Sequence, residues 1–333
     1  MKAYNVAVVG ATGMVGREIL KILEERHFPI ANLYLFATAR SAGNVIHWNS
    51  GNYTVEELTQ KSFNKSGGIH IALFSAGGET SLQFAPIAAE YGCTVVDNSS
   101  AWRMDEKVPL VVPEVNPEDI ALHKGIIANP NCSTIQAVVA LNPLHKAYRL
   151  KRIVYATYQA VSGAGMGGWR DLEEEGAPTT FPFPIKGNCI PHIGDFCDGG
   201  YTKEEMKMMT ETRKILHEPE LRVTATTVRV PVFTGHSEVI NVEFEKSFEL
   251  DDISVILKNS HGITVLDGKG GAAPYPMPLY AQGTDDVYVG RIRRDTSVEN
   301  GLSMWVVSDN LRKGAALNAV QIAERLNKNM KGC

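Results

Sequence analysis

The chain has 333 residues, a formal net charge of −4, and 44% hydrophobic and 21% charged residues. This length is enough for two domains of ordinary size, and the composition is that of a globular protein. The slightly acidic balance disfavours a nucleic-acid-binding protein, which normally presents a basic face. The apolar runs are too short to cross a bilayer, and the chain enters a predicted strand at once, so we expect no signal peptide and a cytoplasmic protein without a membrane partner.

The cysteines favour a reducing compartment. The five residues of this type are Cys93, Cys132, Cys189, Cys197 and Cys333. Their odd number, their wide spacing and the lack of a CxxC pair predict neither a disulfide framework nor a zinc site. We therefore expect reduced thiols and no bound metal. Nothing near Cys189, Cys197 or Cys333 in the sequence supplies a base, so these three are predicted to be structural or incidental.

The N-terminal segment has the pattern of a dinucleotide-binding turn. Residues 6–9 (VAVV) predict a short buried strand, GATGMVG follows at 10–16, and the apolar spacing of 17–26 predicts a helix. Glycines in such a turn let the backbone approach a pyrophosphate, and the helix N-terminus supplies amide donors. A purely structural tight turn is the alternative, but strand, turn and helix all agree with dinucleotide binding. The predicted cofactor contacts are Gly10, Thr12, Gly13, Met14 and Val15.

The end of the second predicted strand favours NADP over NAD. This strand, at 33–37, runs into TARS at 38–41. An NAD enzyme usually carries an acidic residue here for the ribose hydroxyls, and this segment has neither Asp nor Glu. Arg40 can pair with a 2′-phosphate, and Ser41 can donate a hydrogen bond to it. The alternative is that Arg40 is a solvated surface residue.

Cys132 lies where a thiol can become a nucleophile. It is part of NPNCSTIQ at 129–136, between a β-type stretch at 125–128 and an amphipathic helical stretch at 133–147. Pro130 interrupts a strand ladder and Asn131 is a good N-cap, so Cys132 falls in the first helical turn. Helix N-termini can lower a thiol pKa from about 8.5 to roughly 3.5–7.5. A small buried hydrophobe is the alternative from this segment alone.

The pattern of elements predicts two domains with different secondary structure. Up to about residue 130, strands at 69–75, 94–97 and 125–128 alternate with a helix at 79–91, which is typical of a doubly wound parallel sheet. After residue 150 come longer β-type runs with few helices between them, which predicts a mixed or antiparallel sheet covered by helices or by a second subunit. These runs are 153–159, 223–233, 239–245, 287–292 and 302–307.

We therefore predict an α/β protein with a Rossmann-like, doubly wound parallel sheet domain at 1–131. A C-terminal segment, 310–333, is expected to complete it through an amphipathic helix at 311–330. Residues 132–309 are predicted to form an α+β catalytic and dimerisation domain with a mixed sheet. That domain is expected to contain a helix at 203–216 and a loop-rich tract at 163–200.

Motifs along essentially the whole chain resemble one family. They are GATGMVG at 10–16, DNSSAWR at 97–103, NPNCSTIQ at 129–136, TYQAVSGAG at 157–165, ETRK at 211–214, RVPVFTGHSE at 229–238 and YVGRIRRD at 288–295. In this order they resemble the NADP-dependent aspartate-semialdehyde dehydrogenases of lysine, threonine and methionine biosynthesis. The resemblance implies reduction of aspartyl phosphate to the semialdehyde by a homodimer or a homotetramer.

The resemblance also implies roles for particular residues. Cys132 is expected to be the nucleophile that forms an acyl thioester, His236 the acid/base, and Gln159 the residue that orients the acyl group. Arg229 is expected to bind the substrate α-carboxylate. Glu211 is expected to take the substrate ammonium. Asn131 is also assigned to the substrate and phosphate pocket.

Phosphate and further cofactor contacts complete the implied site. Lys214 and Arg103 are expected to bind phosphate. Without the resemblance, Glu211 and Lys214 would be interpreted as a surface ion pair of helical spacing. Small residues at strand ends, where ligands bind in open α/β sheets, are further expected cofactor contacts. They are Ser75, Ala76, Gly77, Ser162, Gly163 and Asn310.

Two other interpretations stay open at this point. The first is a related acyl-phosphate reductase, since N-acetyl-glutamyl-phosphate reductase and glyceraldehyde-phosphate dehydrogenase also use a Cys and a nicotinamide cofactor. Glu211 discriminates, because a free ammonium needs a carboxylate and an acetylated amine does not. The second is a catalytically silent NADP-binding paralogue. It is disfavoured because Cys132, Gln159, Arg229 and His236 are all present.

Overall fold

A computed structural model describes residues 3–268 and 275–329, with side chains described as far as Leu326. The chain divides into two compact units, one of Met1–Pro130 with Ala315–Cys333 and one of Asn131–Gly314. Cys333 lies outside the described residues. Among those described, no helix has the length and apolar character that a membrane crossing requires.

The first unit is built on a parallel sheet of six strands in the order β5-β2-β1-β6-β7-β8. In chain order this is the 3-2-1-4-5-6 arrangement of a doubly wound fold. A separate antiparallel hairpin, β3-β4, stands beside it. The strands are β1 (Tyr4–Val9), β2 (Ile30–Ala37), β3 (Val45–Trp48), β4 (Gly51–Thr54), β5 (Glu56–Glu57), β6 (Ile71–Phe74), β7 (Thr94–Asp97) and β8 (Ile126–Ala128).

Helices cover this sheet because its central strands are apolar on both faces, as parallel sheets require. Every residue of β1, β6 and β7 is buried. Helix α1 (Met14–Glu25) and the C-terminal helix α8 (Leu317–Asn329) bury residues in the same hydrophobic core. From α1 these are Ile19, Leu20, Ile22 and Leu23. Helix α2 (Gly78–Glu90) packs on β7.

The second unit contains a mixed sheet of six strands in the order β10-β9-β11-β14-β13-β12. The β9-β10 and β12-β13 pairs are parallel, and the other neighbours are antiparallel. The strands are β9 (Leu150–Gln159), β10 (Arg222–Arg229), β11 (His236–Phe244), β12 (Ile263–Val265), β13 (Val287–Asp295) and β14 (Gly301–Ser308). The helices are α3 (Cys132–Tyr148), α4 (Gly165–Glu173), α5 (Lys203–Ile215), α6 (Leu250–Lys258) and α7 (Pro278–Ala281). The predicted fold class, a Rossmann-like parallel sheet plus a mixed-sheet domain, is confirmed.

Several local predictions in the second unit were wrong. The strand expected at 223–233 ends at Arg229, because Pro231 has no amide to offer a ladder. Helix α3 is not amphipathic: residues 133–142 are buried on all sides, because α5, α6 and the sheet all pack against it. The tract at 163–200, expected to be loop-rich, also contains the short helix α4.

The C-terminal helix was also predicted incompletely. Helix α8 starts at Leu317 and is preceded by a π-helical segment, Arg312–Ala316. Within it, the Gly314 N–H donates to the Asp309 carbonyl oxygen at 3.1 Å, five residues earlier in the chain. Such π turns inside or beside helices often occur at functional sites. A Cβ added at Gly314 would lie 2.9 Å from Cβ of Cys132.

The turn after β1 depends on Gly10 for two separate reasons. Its φ of +82° lies in the left-handed region, and an added Cβ would stand 2.3 Å from the Ser75 carbonyl oxygen, which belongs to backbone. Gly43 is a matched control, because its φ is +85° but nothing lies within 4 Å of an added Cβ. We expect Gly43→Ala to destabilise by about 1–2 kcal/mol from backbone strain alone.

Gly10→Ala should add roughly 1–3 kcal/mol of overlap to that strain and should have the clearly lower midpoint in thermal or urea unfolding. Equal losses at the two positions would show that the close approach of Gly10 to Ser75 does not constrain the turn.

Candidate active site

Cys132 is the first residue of α3, and Asn131 caps that helix. The Asn131 side-chain oxygen accepts from the Ser133 and Thr134 N–H groups at 3.0 and 3.2 Å. This is the N-cap that the sequence predicts. The cap fixes Cys132 in the first turn, where the helix dipole favours negative charge on sulfur. Cys132 is only half-buried.

His236, at the start of β11, faces the thiol. Its Nε2 lies 3.2 Å from Cys132 Sγ, and its Nδ1 accepts the Ala160 N–H at 3.0 Å. The ring is completely buried. Burial, and next the nearby Arg229 guanidinium, lower the pKa of His236 to about 3, while Glu204 opposes them. The structure thus brings together the two residues that the sequence predicts as nucleophile and acid/base.

Gln159 and Arg229 end two neighbouring strands, and β9 and β10 run parallel with these residues in register. The Arg229 Nη1 donates to the Ala160 carbonyl oxygen at 2.6 Å. Its Nε has no hydrogen-bond partner among the described residues, and the side chain is 5% exposed. Burial lowers the pKa of Arg229, and the neighbouring Glu204 and Cys132 raise it. A buried guanidinium with an open N–H is suited to an anionic ligand.

Glu204 is a central residue that the sequence analysis missed. One of its carboxylate oxygens accepts from Gln159 Nε2 at 3.0 Å and from Asn131 Nδ2 at 2.8 Å, and the other contacts Lys207 Nζ at 3.0 Å. Burial alone would raise the pKa of Glu204, but Lys207, Gln159 and Asn131 together lower it to about 2. Glu204 is thus an ionised carboxylate that holds both Gln159 and the N-cap. A local signal for this turn is present in the sequence but was not used there: Thr202 and Glu205 have the spacing of a capping box, and the structure forms it.

Glu211 and Lys214 both lie on α5, as expected. Glu211 is buried, and its Oε2 accepts the Asn131 N–H at 2.6 Å, whereas Lys214 is half-buried. Glu204 and Glu211 therefore contact Asn131 from one face of α5, about two helical turns apart. The Asn131 side chain is engaged at both ends, by the cap and by Glu204.

Ser162, Gly163 and Asn310 are brought together beside His236. Asn310 Nδ2 donates to Ser162 Oγ at 2.9 Å, and its Oδ1 accepts the Gly235 N–H at 2.8 Å. A Cβ added at Gly163 would stand 3.2 Å from Arg229 Nη1 and 3.5 Å from the His236 ring. Gly163 is exposed, so a ligand can approach the backbone here.

In the first unit, the expected cofactor residues follow three adjacent strands, β2, β1 and β6, at their carboxyl ends. Gly13 caps α1 without any side-chain hydrogen bond, so the first amides of that helix are not satisfied by a capping side chain. A Cβ added at Gly16 would meet the Gly10 carbonyl oxygen at 2.1 Å, which shows how tightly this turn closes. These features fit a pyrophosphate at the α1 N-terminus.

Other expected contacts in the first unit are placed as follows. Arg40 is exposed, and Thr12 Oγ1 lies 3.4 Å from Ser41 Oγ. Met14, Val15, Ser75 and Ala76 are half-buried, and Gly77 is exposed. Arg103 is buried and donates to the carbonyl oxygens of Asn129 and Asn98 at 2.9 and 2.8 Å.

Among the remaining described cysteines, Cys93 is buried, Cys189 is exposed and Cys197 is half-buried, and all are free thiols.

Glu238 is a second buried carboxyl that the sequence analysis did not single out. It lies two residues after His236 on β11, and therefore on the same face of the sheet. Neither carboxyl oxygen has a hydrogen bond of ordinary geometry to the described residues. Burial raises the pKa of Glu238 well above its ordinary value, and the nearby Gln136 amide and Ser133 hydroxyl offset this only in part. Burial thus favours the protonated form of Glu238, which lies behind the first turn of α3.

Two family models match this chain. Residues 5–123 match the NAD binding domain of semialdehyde dehydrogenases, and residues 141–313 match their dimerisation domain. With the parallel sheet, its glycine turn and the Cys–His pair, these matches place the chain in the class of semialdehyde dehydrogenases, which are oxidoreductases.

Individual relatives define the family more closely. An aspartate-semialdehyde dehydrogenase from Aquifex aeolicus is 55% identical, with 98% of each chain covered. A crystal structure of aspartate semialdehyde dehydrogenase II from Vibrio cholerae, complexed with ASA, superposes on this chain with a TM-score of 0.93. The two sequences are 46% identical, and the match covers 98% of this chain and 99% of that chain. An enzyme of the same name from Candida albicans, solved with NADP, is 27% identical with a TM-score of 0.79 and the same coverage. The chain belongs to the aspartate-semialdehyde dehydrogenase family and is an enzyme.

The raised pKa of Glu238 predicts a pH-dependent stability. The folded state keeps this proton above the ordinary pKa of 4.5, whereas the unfolded state releases it. Stability is therefore lost as the pH rises from about 4.5 toward the raised value, by about 1.4 kcal/mol per pH unit. We expect Glu238→Gln, which is neutral at every pH, to melt higher than the unmodified protein at pH 8 and to show a smaller decline between pH 5 and 8.

Glu175→Gln is the matched control, since the Glu175 side chain is 93% exposed. It should follow the unmodified protein. A Glu238→Gln profile parallel to that of the unmodified protein would mean that Glu238 is ionised when folded.

Proposed function

We propose that this enzyme catalyses the reversible, NADPH-dependent reductive dephosphorylation of L-aspartyl 4-phosphate to L-aspartate 4-semialdehyde. The observation that carries the proposal is the 3.2 Å contact between Cys132 Sγ and His236 Nε2 at the N-terminus of α3. Gln159 and Arg229 stand beside this pair, in a chain of the aspartate-semialdehyde dehydrogenase family. We assign the reaction to lysine, threonine and methionine biosynthesis.

Cys132 is the proposed nucleophile of the first step. The helix N-terminus and the His236 ring favour its thiolate, which attacks the acyl carbon of the substrate. The carbon–oxygen bond to phosphate breaks, phosphate leaves with that electron pair, and an acyl thioester forms on Cys132. Gln159, held by Glu204 at 3.0 Å, is proposed to orient the acyl group.

The second step reduces the thioester. NADPH, when bound, supplies the hydride that the acyl carbon accepts. The carbon–sulfur bond then breaks, the aldehyde leaves, and the electron pair returns to Cys132. His236 is proposed as the acid/base, because its Nε2 lies 3.2 Å from the sulfur that attacks the acyl carbon.

Charged side chains supply the proposed substrate recognition. Arg229 has a buried guanidinium with an open Nε–H, which supports binding of the α-carboxylate. Glu211 is a buried carboxylate on the same helix face as Glu204, which supports a role toward the substrate ammonium. Lys214 and Arg103 are proposed to bind phosphate, and Asn131 is proposed to act in the same pocket chiefly by capping α3.

The first unit is the proposed NADP-binding domain, with the C-terminal helix as part of it, and the second unit is the proposed catalytic and dimerisation domain. The bare N-terminus of α1 and the close approach of Gly10 to Ser75 support pyrophosphate binding. The exposed Arg40 supports a preference for the 2′-phosphate of NADP. We propose a homodimer in the cytoplasm, and the free described cysteines support a reducing compartment.

Substrate and nucleophile are tested together by a phosphate-dependent assay of NADP reduction with aspartate semialdehyde, beside the same assay with glyceraldehyde 3-phosphate. We expect turnover with the first substrate only. Cys132→Ser should lose roughly three orders of magnitude or more while NADPH still binds. Cys189→Ser, at an exposed thiol, is the matched control and should keep full activity. Preferred use of glyceraldehyde 3-phosphate would refute the substrate, and normal turnover by Cys132→Ser would refute the nucleophile.

Cofactor choice is tested at Arg40. Hydrogen bonds to a charged group contribute about 1.5–3 kcal/mol, so contacts with the 2′-phosphate should favour NADPH over NADH by roughly 10- to 150-fold in kcat/KM. Arg40→Ala should remove most of that preference, whereas Arg222→Ala, an exposed arginine at the start of β10, should leave it intact. Equal efficiency with both cofactors in the unmodified enzyme would contradict the assignment of the 38–41 segment.

A further inference from the structure

The His236 ring is held between a peptide N–H and the reactive sulfur. Its Nδ1 accepts the Ala160 N–H at 3.0 Å, and its Nε2 faces Cys132 Sγ at 3.2 Å. From this geometry we infer that the proton of the neutral ring is fixed on Nε2, and that His236 assists the reaction as a hydrogen-bond donor and not as a base at that atom. The inference rests on the proposed function and replaces one part of it: at Nε2, His236 donates a hydrogen bond in place of the acid/base role.

The hydrogen bond from Ala160 selects one tautomer. A neutral imidazole carries one proton, and a nitrogen that accepts an N–H must carry the lone pair. With the proton on Nδ1, the His236 Nδ1–H would point at the Ala160 N–H, and the Ala160 amide would have no acceptor. Both residues are completely buried, so water cannot take over as the acceptor. A buried amide left unpaired disfavours the other tautomer by roughly ten- to a hundredfold.

The Ala160 amide cannot easily turn away. The same peptide group carries the Gln159 carbonyl oxygen, which accepts the Val230 N–H at 3.0 Å. The next carbonyl, that of Ala160, accepts from Arg229 Nη1 at 2.6 Å, and the following N–H, that of Val161, donates to the Val232 carbonyl oxygen at 2.8 Å. Because hydrogen bonds anchor the backbone on both sides of this N–H, Nδ1 keeps an acceptor role while the ring stays in place.

The charges around the ring keep it from taking a second proton. Arg229 and Glu204 are the charged groups that act on it, Cys132 faces its Nε2, and Glu238 follows on the same strand face. Burial and Arg229 disfavour the imidazolium more than Glu204 favours it, so the pKa of His236 is low. A second proton could enter only at Nδ1, where it would break the bond from Ala160.

A fixed Nε2–H suffices for every proposed step. It donates to the thiolate before attack, and to the substrate oxygen when the acyl carbon becomes tetrahedral. When phosphate leaves, the electron pair of the carbon–oxygen bond goes with it, and phosphate takes the one proton of the overall reaction from water. When the carbon–sulfur bond breaks, its electron pair returns to sulfur, which again accepts from Nε2–H. No step requires His236 to lose or gain a proton.

The tautomer is measured directly by nitrogen NMR of the resting full-length enzyme with ¹⁵N-labelled histidine, and His236→Gln identifies the His236 signals by their loss. We expect a protonated Nε2 and an unprotonated Nδ1, unchanged between pH 6 and 9. A protonated Nδ1, or a ring that titrates within that range, would overturn the inference. This readout needs no turnover, so failure of the proposed substrate would leave it unaffected.

The donor role is measured by replacing the ring. The amide of His236→Gln can donate near the Nε2 position but cannot act as a base, whereas His236→Leu can do neither. We expect His236→Gln to exceed His236→Leu by roughly 10- to 150-fold, both in kcat with aspartate semialdehyde and in the rate of Cys132 alkylation by iodoacetamide at pH 7. Equal rates for the two variants in the alkylation reaction, which needs neither substrate nor cofactor, would overturn the donor role.

Discussion

The site of this enzyme depends on the Asn131 cap at the N-terminus of α3. The cap places Cys132 in the first helical turn, and the same asparagine receives Glu204 and Glu211 from α5. A change in the cap would therefore move Cys132, the proposed nucleophile, and also release the contacts of Glu204 and Glu211. Such coupling explains why an asparagine suits this position better than an aspartate: its amide both accepts from the helix amides and donates to a carboxylate, whereas an ionised aspartate can only accept.

Strand direction in the mixed sheet determines what surrounds the cap. Strands β9 and β10 are parallel and end at Gln159 and Arg229, whereas β11 runs antiparallel to β9 and begins with His236. The end of β14, Ser308, pairs with His236. The adjacent strands β10, β9, β11 and β14 therefore place polar residues at one edge of the sheet. A purely antiparallel order would have sent the end of β10 to the opposite edge, away from Gln159.

Part of this arrangement could be predicted from sequence because it is local. The cap before Cys132, the glycine turn after β1 and the helix at α5 follow from neighbouring residues, and they agree with the structure. The burial of α3 on all sides could not be predicted, since it results from packing against α5, α6 and the sheet. Glu204 was missed for the same reason: its partners Asn131 and Gln159 are 73 and 45 residues away in the chain.

In this site, the buried side chains described above that carry a charge are those with a hydrogen-bond partner or a proposed role in binding. Burying an unpaired charge is costly, so titratable groups without a partner become neutral. Glu238 does so by keeping its proton, and His236 by remaining unprotonated at Nδ1. Glu204 stays ionised because Lys207 and two amides hold it. Arg229 keeps an unsatisfied N–H in a buried position.

The remaining charge then has a direct consequence for catalysis. With His236 and Glu238 uncharged, the charges of Arg229 and Glu204 and the amides of α3 remain near the Cys132–His236 pair. Groups that are already oriented toward a developing negative charge need no reorganisation in the proposed attack by the thiolate. The desolvation of Arg229 costs free energy in folding, and an anionic substrate that accepts from its unpaired Nε–H, as proposed, would offset that cost.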